Sequence, residues 1–361
     1  MRLVVAATLA LTPCAALGQE RLCEGYSGLP PGSEPTAGMA AIPGGSFTMG
    51  DDDQRPEERA AHRVTVAPFR IDRHEVTNAQ FKHFVDATGY RTVAERGLPA
   101  EDHPGLPPEL LAPGAVVFAT PDGLLDLVDV RTWWRFIAGA DWRHPTGPGS
   151  SNDRQDNHPV VDVAYEDAAA YARWLGRELP TEAQWEFAAR GGLDGATYGW
   201  GEDYYDPAAG WRANTWQGVF PLKDNADDGY HGTAPVGCFA ANGYGLFDMI
   251  GNVWEYTADW WVPGHPAPAA SDPEGPPRAL AVNYGGPAGP AVVIKGGSFL
   301  CAPNFCARYR PSARQSQELS LGASHLGFRT VLNAPLPSSP TERKAGGITT
   351  EPDRSGPASP G

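Results

Sequence analysis

Positive charge is scarce in this sequence. Its 28 Lys and Arg face 43 Asp and Glu, a formal net charge of −15, which excludes a broad basic face for nucleic acid or an anionic membrane but suits hard cations held by carboxylates. Internal repeats are missing, which excludes solenoids and propellers. The apolar run near the N-terminus is broken by Pro13 and is short for a membrane span. A G-x-S-x-G elbow, a P-loop and a zinc-binding H-E-x-x-H are also missing. His74-Glu75-Val76-Thr77-Asn78 begins like the last, but Asn78 stands where the second histidine is needed, so His74 and Glu75 read as structural. Cysteine is sparse, five in 361 residues.

What is abundant is Gly, Pro and Trp: 43, 36 and 11 of them. Together they predict many turns and long loops pinned by large aromatic anchors, rather than a helical bundle. Residues 1–18 have the layout of a secretory signal peptide, one Arg, an apolar stretch and then small residues, with cleavage expected after Gly18. Leu11-Thr12-Pro13 ahead of Cys14 is a poor lipobox. The protein is therefore expected to be exported, to the periplasm or beyond, with Cys23, Cys238, Cys301 and Cys306 in an oxidising compartment. Residues 19–40 read as a linker or an N-terminal arm, 41–332 as the folded domain, and the Pro- and Ser-rich 333–361 as a disordered tail.

Within the domain, a glycine turn at Gly44-Gly45 enters a short strand, and a second strand is expected over residues 62–71. Thr77-Asn78-Ala79-Gln80 and Thr181-Glu182-Ala183-Gln184 are capping boxes. They open helices whose apolar positions are Phe81, Phe84 and Val85 in one, and Trp185 and Ala188 in the other. A further helix is expected over 166–175, and a closing strand over 327–332. Residues 192–326 show little periodicity and read as a loop-built functional surface, with 262–290 as a surface excursion.

Two constellations carry chemistry. Asp224-Asn225-Ala226-Asp227-Asp228-Gly229 starts like a calcium loop, but Pro235 occupies the twelfth position where an EF-hand needs Glu. It is not an EF-hand, and a calcium site of another kind, built from Asp228 and backbone carbonyls, stays open. Asp248 and Glu255 flank a Gly251-Asn252-Val253-Trp254 turn of the same kind. Cys301 and Cys306 form either a local disulfide, or a soft-metal or redox centre. Their loop is short, so a disulfide there stabilises little. Arg308 and Arg310 favour thiolates, and two thiolates without a nearby histidine suit Cu(I) better than zinc.

The motifs IPGGSFTMG, DRHEVTNAQFKHFVDATGY, DWRHP, LPTEAQWEFAARGG, NGYGLFDMIGNVWE, KGGSFLC and LGFR stand in the order found in formylglycine-generating enzymes, also called sulfatase-modifying factors. The chain resembles that family over residues 42–332. The resemblance implies an α+β fold, a single C-type-lectin-like domain with little regular secondary structure. It implies oxidation of a cysteine in a sulfatase Cys-x-Pro-x-Arg segment to Cα-formylglycine, using O2, a thiol reductant and copper. Cys301 and Cys306 match the copper-binding thiols, Ser298 a polar group of the site, and Trp254 an aromatic beside it. Two structural calcium ions are implied as well, one matching Asn214, Thr215, Asp228 and Tyr230, the other Asp248, Gly251, Val253 and Glu255. The substrate would be an unfolded or extended sulfatase polypeptide. Pro311 and Thr330 replace disulfide cysteines of animal members, His325 replaces an Asn, and Ala302 replaces a His. The last two bear on peptide preference. An exported lectin-like binding module with an inert Cys301–Cys306 disulfide is the alternative. An iron-dependent sulfoxide synthase would need a histidine-rich site that is not visible in these nine His.

Overall fold

The computed structural model describes residues 21–121, 132–265, 271–283 and 289–333. The expected signal peptide and the tail beyond residue 333 lie outside them. Among the described residues there are thirteen short strands and five α-helices. The strands are β1 (Met39–Ile42), β2 (Gly45–Met49), β3 (His62–Val66), β4 (Phe69–Asp72), β5 (Gly114–Phe118), β6 (Trp134–Ala138), β7 (Gly218–Val219), β8 (Lys223–Asp224), β9 (Trp254–Trp260), β10 (Ala291–Lys295), β11 (Arg314–Glu318), β12 (Leu326–Gly327) and β13 (Val331–Leu332). The helices are α1 (Asn78–Thr88), α2 (Val93–Arg96), α3 (Pro108–Leu111), α4 (Tyr165–Trp174) and α5 (Glu182–Arg190).

Both capping boxes form: the Thr77 and Thr181 hydroxyls accept from the backbone of Gln80 and Gln184, whose side chains bond back. α1 and α5 end on left-handed Gly89 and Gly191. The apolar stripes of α1, α4 and α5 meet the sheets in one core that includes Phe81, Tyr171, Trp185, Trp254, Tyr256 and Phe328.

The central sheet has the order β11-β10-β9-β12, antiparallel except for the parallel β9–β12 pair. All five residues of β10 are buried, because this strand is covered on both faces, and it therefore reads as a continuous apolar run. Its last residue, Lys295, is buried against Glu186 at 2.9 Å and Glu182 at 3.5 Å. A second sheet has the order β1-β4-β13.

Three sequence expectations change. The strand expected over 62–71 is two strands broken at Ala67-Pro68, where Gly44 turns with φ of +70° and a Cβ would sit 2.6 Å from the Val66 carbonyl. The closing strand over 327–332 is two pieces, β12 and β13, in different sheets. Between them, Arg329 binds Glu255 and the Thr330 hydroxyl donates to Asp72. The stretch 192–326 contains β9, β10 and β11, so it supplies the middle of the central sheet as well as loops.

Residues 21–38 are an adherent arm rather than a linker. Cys23 is disulfide-bonded to Cys238, Tyr26 pairs with His74 at 3.0 Å, and the Thr77 hydroxyl donates to the Gly28 carbonyl at 2.6 Å. No helix among the described residues is long and apolar enough to cross a membrane.

Candidate active site and its neighbouring loops

β10 leaves the sheet through Gly296 and Gly297, both left-handed, with φ of +96° and +76°. A Cβ on Gly296 would stand 2.9 Å from the Met249 carbonyl and 3.0 Å from the Trp185 ring. Only glycine lets the chain turn against those groups. The turn delivers Ser298, which is buried, and then Cys301, whose N–H donates to the Ser298 carbonyl at 2.9 Å. Cys301 is buried, Cys306 is half-buried, and their sulfurs are bonded to each other.

Cys306 and Ala307 are themselves left-handed, at φ of +67° and +44°, an uncommon state for residues with a Cβ. Ion pairs hold this loop. The Arg55 guanidinium donates to the Cys306 carbonyl at 2.6 Å. Arg308 binds Glu57 through Nε and Nη2, and Arg310 and Ser312 both bind Glu58. Arg314 forks onto Glu182 at 2.7 and 3.0 Å. Alternate residues of one loop are thus fastened to the 56–58 turn and to the N-terminus of α5.

Cys301, Cys306, Ser298 and Trp254 line one groove of about 570 Å³, together with Trp134 and His325. The His325 ring lies 4.5 Å from that of Trp134. Burial pushes its pKa down to about 3 and keeps it neutral. Size does not single this groove out, since depressions of about 600 and 660 Å³ lie beside Trp211 and Trp142. Its sulfurs do.

The other expected site residues gather behind it. Gly251 has φ of +80°, and a Cβ there would lie 2.3 Å from the Asn214 carbonyl, so only glycine lets the two loops close on each other. Asn252 donates to that carbonyl at 2.8 Å, and Gly251 donates to the Gly296 carbonyl at 3.0 Å, which ties both loops to the glycine turn. Asp228 accepts from the N–H groups of Thr215 at 3.0 Å and Tyr230 at 3.1 Å. Asn214, Thr215, Asp228 and Tyr230 are therefore one cluster. In the second group, Asp248 and Glu255 interact electrostatically, and Gly251 and Val253 are buried on the turn between them.

The second cluster contains a residue that sequence reasoning set aside. Both carboxylate oxygens of Glu75 are buried without a hydrogen-bond partner. Its pKa is raised by burial and by Asp248 and Glu255; that of Asp248 is raised by burial to about 7. Arg329 satisfies both oxygens of Glu255 at 2.7 Å, and Trp185 adds a third bond. Glu75, Asp248 and Glu255 thus have Arg329 as their shared counter-charge, and burial and mutual repulsion favour the neutral forms of the first two, a deficit that a bound cation would relieve. Glu75 lay inside the failed H-E-x-x-H match, which was its only signal. His74, by contrast, is structural as expected: it bonds Tyr26 and the Glu75 carbonyl, and burial lowers its pKa to about 4.

A family model described as "Sulfatase-modifying factor enzyme 1-like domain" matches residues 27–334. The chain belongs to this family. It is 51% identical over 295 residues to a Mycobacterium tuberculosis protein named formylglycine-generating enzyme, an alignment covering 81% of this chain and 97% of that one. It is also 43% identical to a Bos taurus protein named inactive C-alpha-formylglycine-generating enzyme 2, over 85% of this chain and 91% of the other. Among solved structures, PvdO from Pseudomonas aeruginosa superposes with a TM-score of 0.54 at 27% identity, covering 81% and 93% of the two chains. The fold is thus that of the family, a single C-type-lectin-like α+β domain. Family membership leaves activity to the site, because a relative of the second kind shares the scaffold.

Proposed function

We propose that this protein oxidises the cysteine of a sulfatase Cys-x-Pro-x-Arg segment to Cα-formylglycine, with O2 as oxidant and Cu(I) held by Cys301 and Cys306. The observation that carries this reading is the pair of adjacent sulfurs in a groove, in a chain half identical to a formylglycine-generating enzyme. The donor set fits the ion. No group of three His, Cys, Asp or Glu suited to a metal is gathered among the described residues, and two soft thiolates suit Cu(I), whereas structural zinc wants four ligands. When bound, copper supplies the activation of O2 beside the substrate Cβ and an open position for the substrate thiol.

The chain's own residues do the rest. Trp254 and Trp134 wall the groove with apolar surface and exclude water from the reacting cysteine. The Ser298 oxygen accepts from the Leu300 N–H at 3.3 Å, which leaves its hydroxyl proton to donate into the groove. The substrate enters as an extended or unfolded segment, since a cysteine inside a finished fold cannot reach the groove floor. The substrate thiol and O2, with two electrons and two protons from a thiol reductant, give the aldehyde, hydrogen sulfide and water. One C–H bond and the C–S bond break, and a carbonyl forms.

We assign the two rear clusters to structural calcium, with Glu75 joining Asp248 and Glu255. Carboxylates alone do not make up a ligand set there, and in this assignment the Gly251 and Val253 carbonyls complete it. The pairing of four cysteines into two disulfides accords with export.

One observation favours a second reading: the Cys301 and Cys306 sulfurs are bonded to each other, as in a binding module with an inert staple. One experiment separates the two. The full chain is reduced and given copper, O2 and a Cys-x-Pro-x-Arg peptide; aldehyde is then sought by mass and by hydrazine capture. Aldehyde that depends on prior reduction and on copper supports the enzyme. Failure to bind copper after complete reduction supports the module.

A further inference from the structure

Arg55 stands apart from the other arginines of the cysteine loop. Arg308, Arg310 and Arg314 are each neutralised by a carboxylate, from Glu57, Glu58 and Glu182. Arg55 pairs with no carboxylate among the described residues; one of its N–H groups donates to the Cys306 carbonyl, and the guanidinium has five. Its side chain borders the groove, whose polar lining otherwise includes Arg308, which is paired with Glu57, with Asn304, Gln315, Gln317 and His325, and no Asp or Glu. Glu57 and Glu58 act on Arg55 from outside the groove, so the charged groups that line it, Arg55 and Arg308, are both cationic in a chain of net charge −15.

We propose that Arg55 is a specificity residue that binds a carboxylate side chain of the substrate polypeptide within two residues of the reacting cysteine. The short range follows from geometry. Arg55 grips the carbonyl of Cys306 itself, and an extended chain advances about 3.3 Å per residue, so only near neighbours of the substrate cysteine fall within its reach. The arginine of Cys-x-Pro-x-Arg lies four residues on, about 13 Å along an extended chain, and is spared the repulsion. The planar fork suits a carboxylate in a bidentate bond. This inference rests on the groove being a peptide site, the reading given above.

The test uses the reduced full chain and Cys-x-Pro-x-Arg peptides carrying Asp, or Asn, at the residue before or after the cysteine. Binding is read by fluorescence anisotropy without O2, so that no turnover is needed, and kcat/KM is read with O2. The parent should bind the better-placed Asp peptide about tenfold tighter than its Asn counterpart, mainly through KM, and the ratio should shrink with salt. Arg55→Gln should bring the ratio to about one, and Arg55→Glu should invert it. A parent ratio near one, or a ratio that survives Arg55→Gln, overturns the proposal. So does an equal loss on both peptides, which would make Arg55 only a support for the Cys306 turn. Melting curves establish that both variants fold. Absence of aldehyde from every peptide, with the anaerobic ratio intact, would remove the proposed chemistry and leave the recognition standing.

Discussion

Single side chains divide sharply between those whose role was legible and those that needed the fold. Cys301 and Cys306 are five apart in sequence and stand on one groove wall, so their pairing was visible in spacing alone, while the choice between staple and metal ligand was not. We expect Cys301→Ser and Cys306→Ser each to abolish tight copper binding and nearly all turnover, because a neutral hydroxyl is a poor ligand for Cu(I). Cys238→Ser should spare both and lower only the melting temperature, since it opens the bridge to Cys23, which spans 215 residues. Copper stoichiometry and aldehyde yield in the three variants decide the matter; full turnover by either of the first two ends the copper reading. His325 is a groove residue held neutral by burial. His325→Asn should therefore reorder the ranking of peptide variants while leaving the shape of the pH profile between 5 and 8 unchanged. An unaltered ranking would show that His325 does not touch substrate. Glu75 and Arg55 were not legible, because what marks them is a missing partner, and a missing partner exists only in three dimensions.

At the level of elements, the three longer helices were read well, while α2, α3 and most strands were missed. A capping box is local, with all its atoms within four residues, whereas β9, β10 and β11 are defined by pairing with distant segments and are too short for a period to show. Buried acids at helix starts carry a pH signature. Asp259 accepts the Glu182 N–H at 2.6 Å at the head of α5, and burial, with Glu182, raises its pKa to about 7. A carboxyl protonated in the fold but ionised in the unfolded chain costs stability as pH rises from about 4 to about 7. Asp259→Asn should flatten that part of the decline relative to the parent, without changing the fall at low pH that comes from Glu182, whose pKa Arg314 and Lys295 hold down at about 2. Melting temperatures of parent and variant at pH 4.5, 6 and 7.5 provide the comparison; parallel curves would mean that Asp259 ionises alike folded and unfolded.

For the whole molecule, the two rear clusters and the glycine turn are one bonded unit, because Gly251 touches both Asn214 and Gly296. Exhaustive chelation should accordingly lower the melting temperature, by several degrees if calcium is present well above its dissociation constant, and activity should fall only as folding fails. Asp228→Ala should do the same and remove the response of its own cluster to calcium. Glu255→Ala is expected to cost about 3–5 kcal/mol with or without calcium, since it strands the buried Arg329. A melting temperature indifferent to chelation, in protein that contains no calcium, would refute both ion sites. The ladder of arginines 308, 310 and 314 on Glu57, Glu58 and Glu182 has a consequence for exchange between the bonded and the free thiols. Arg55 on the Cys306 carbonyl and the three ion pairs do not involve the sulfurs, so these contacts are expected to survive reduction of the disulfide. In the proposed copper site, a loop held in this way would need little ordering to seat the ion, and the sulfurs would supply most of its affinity.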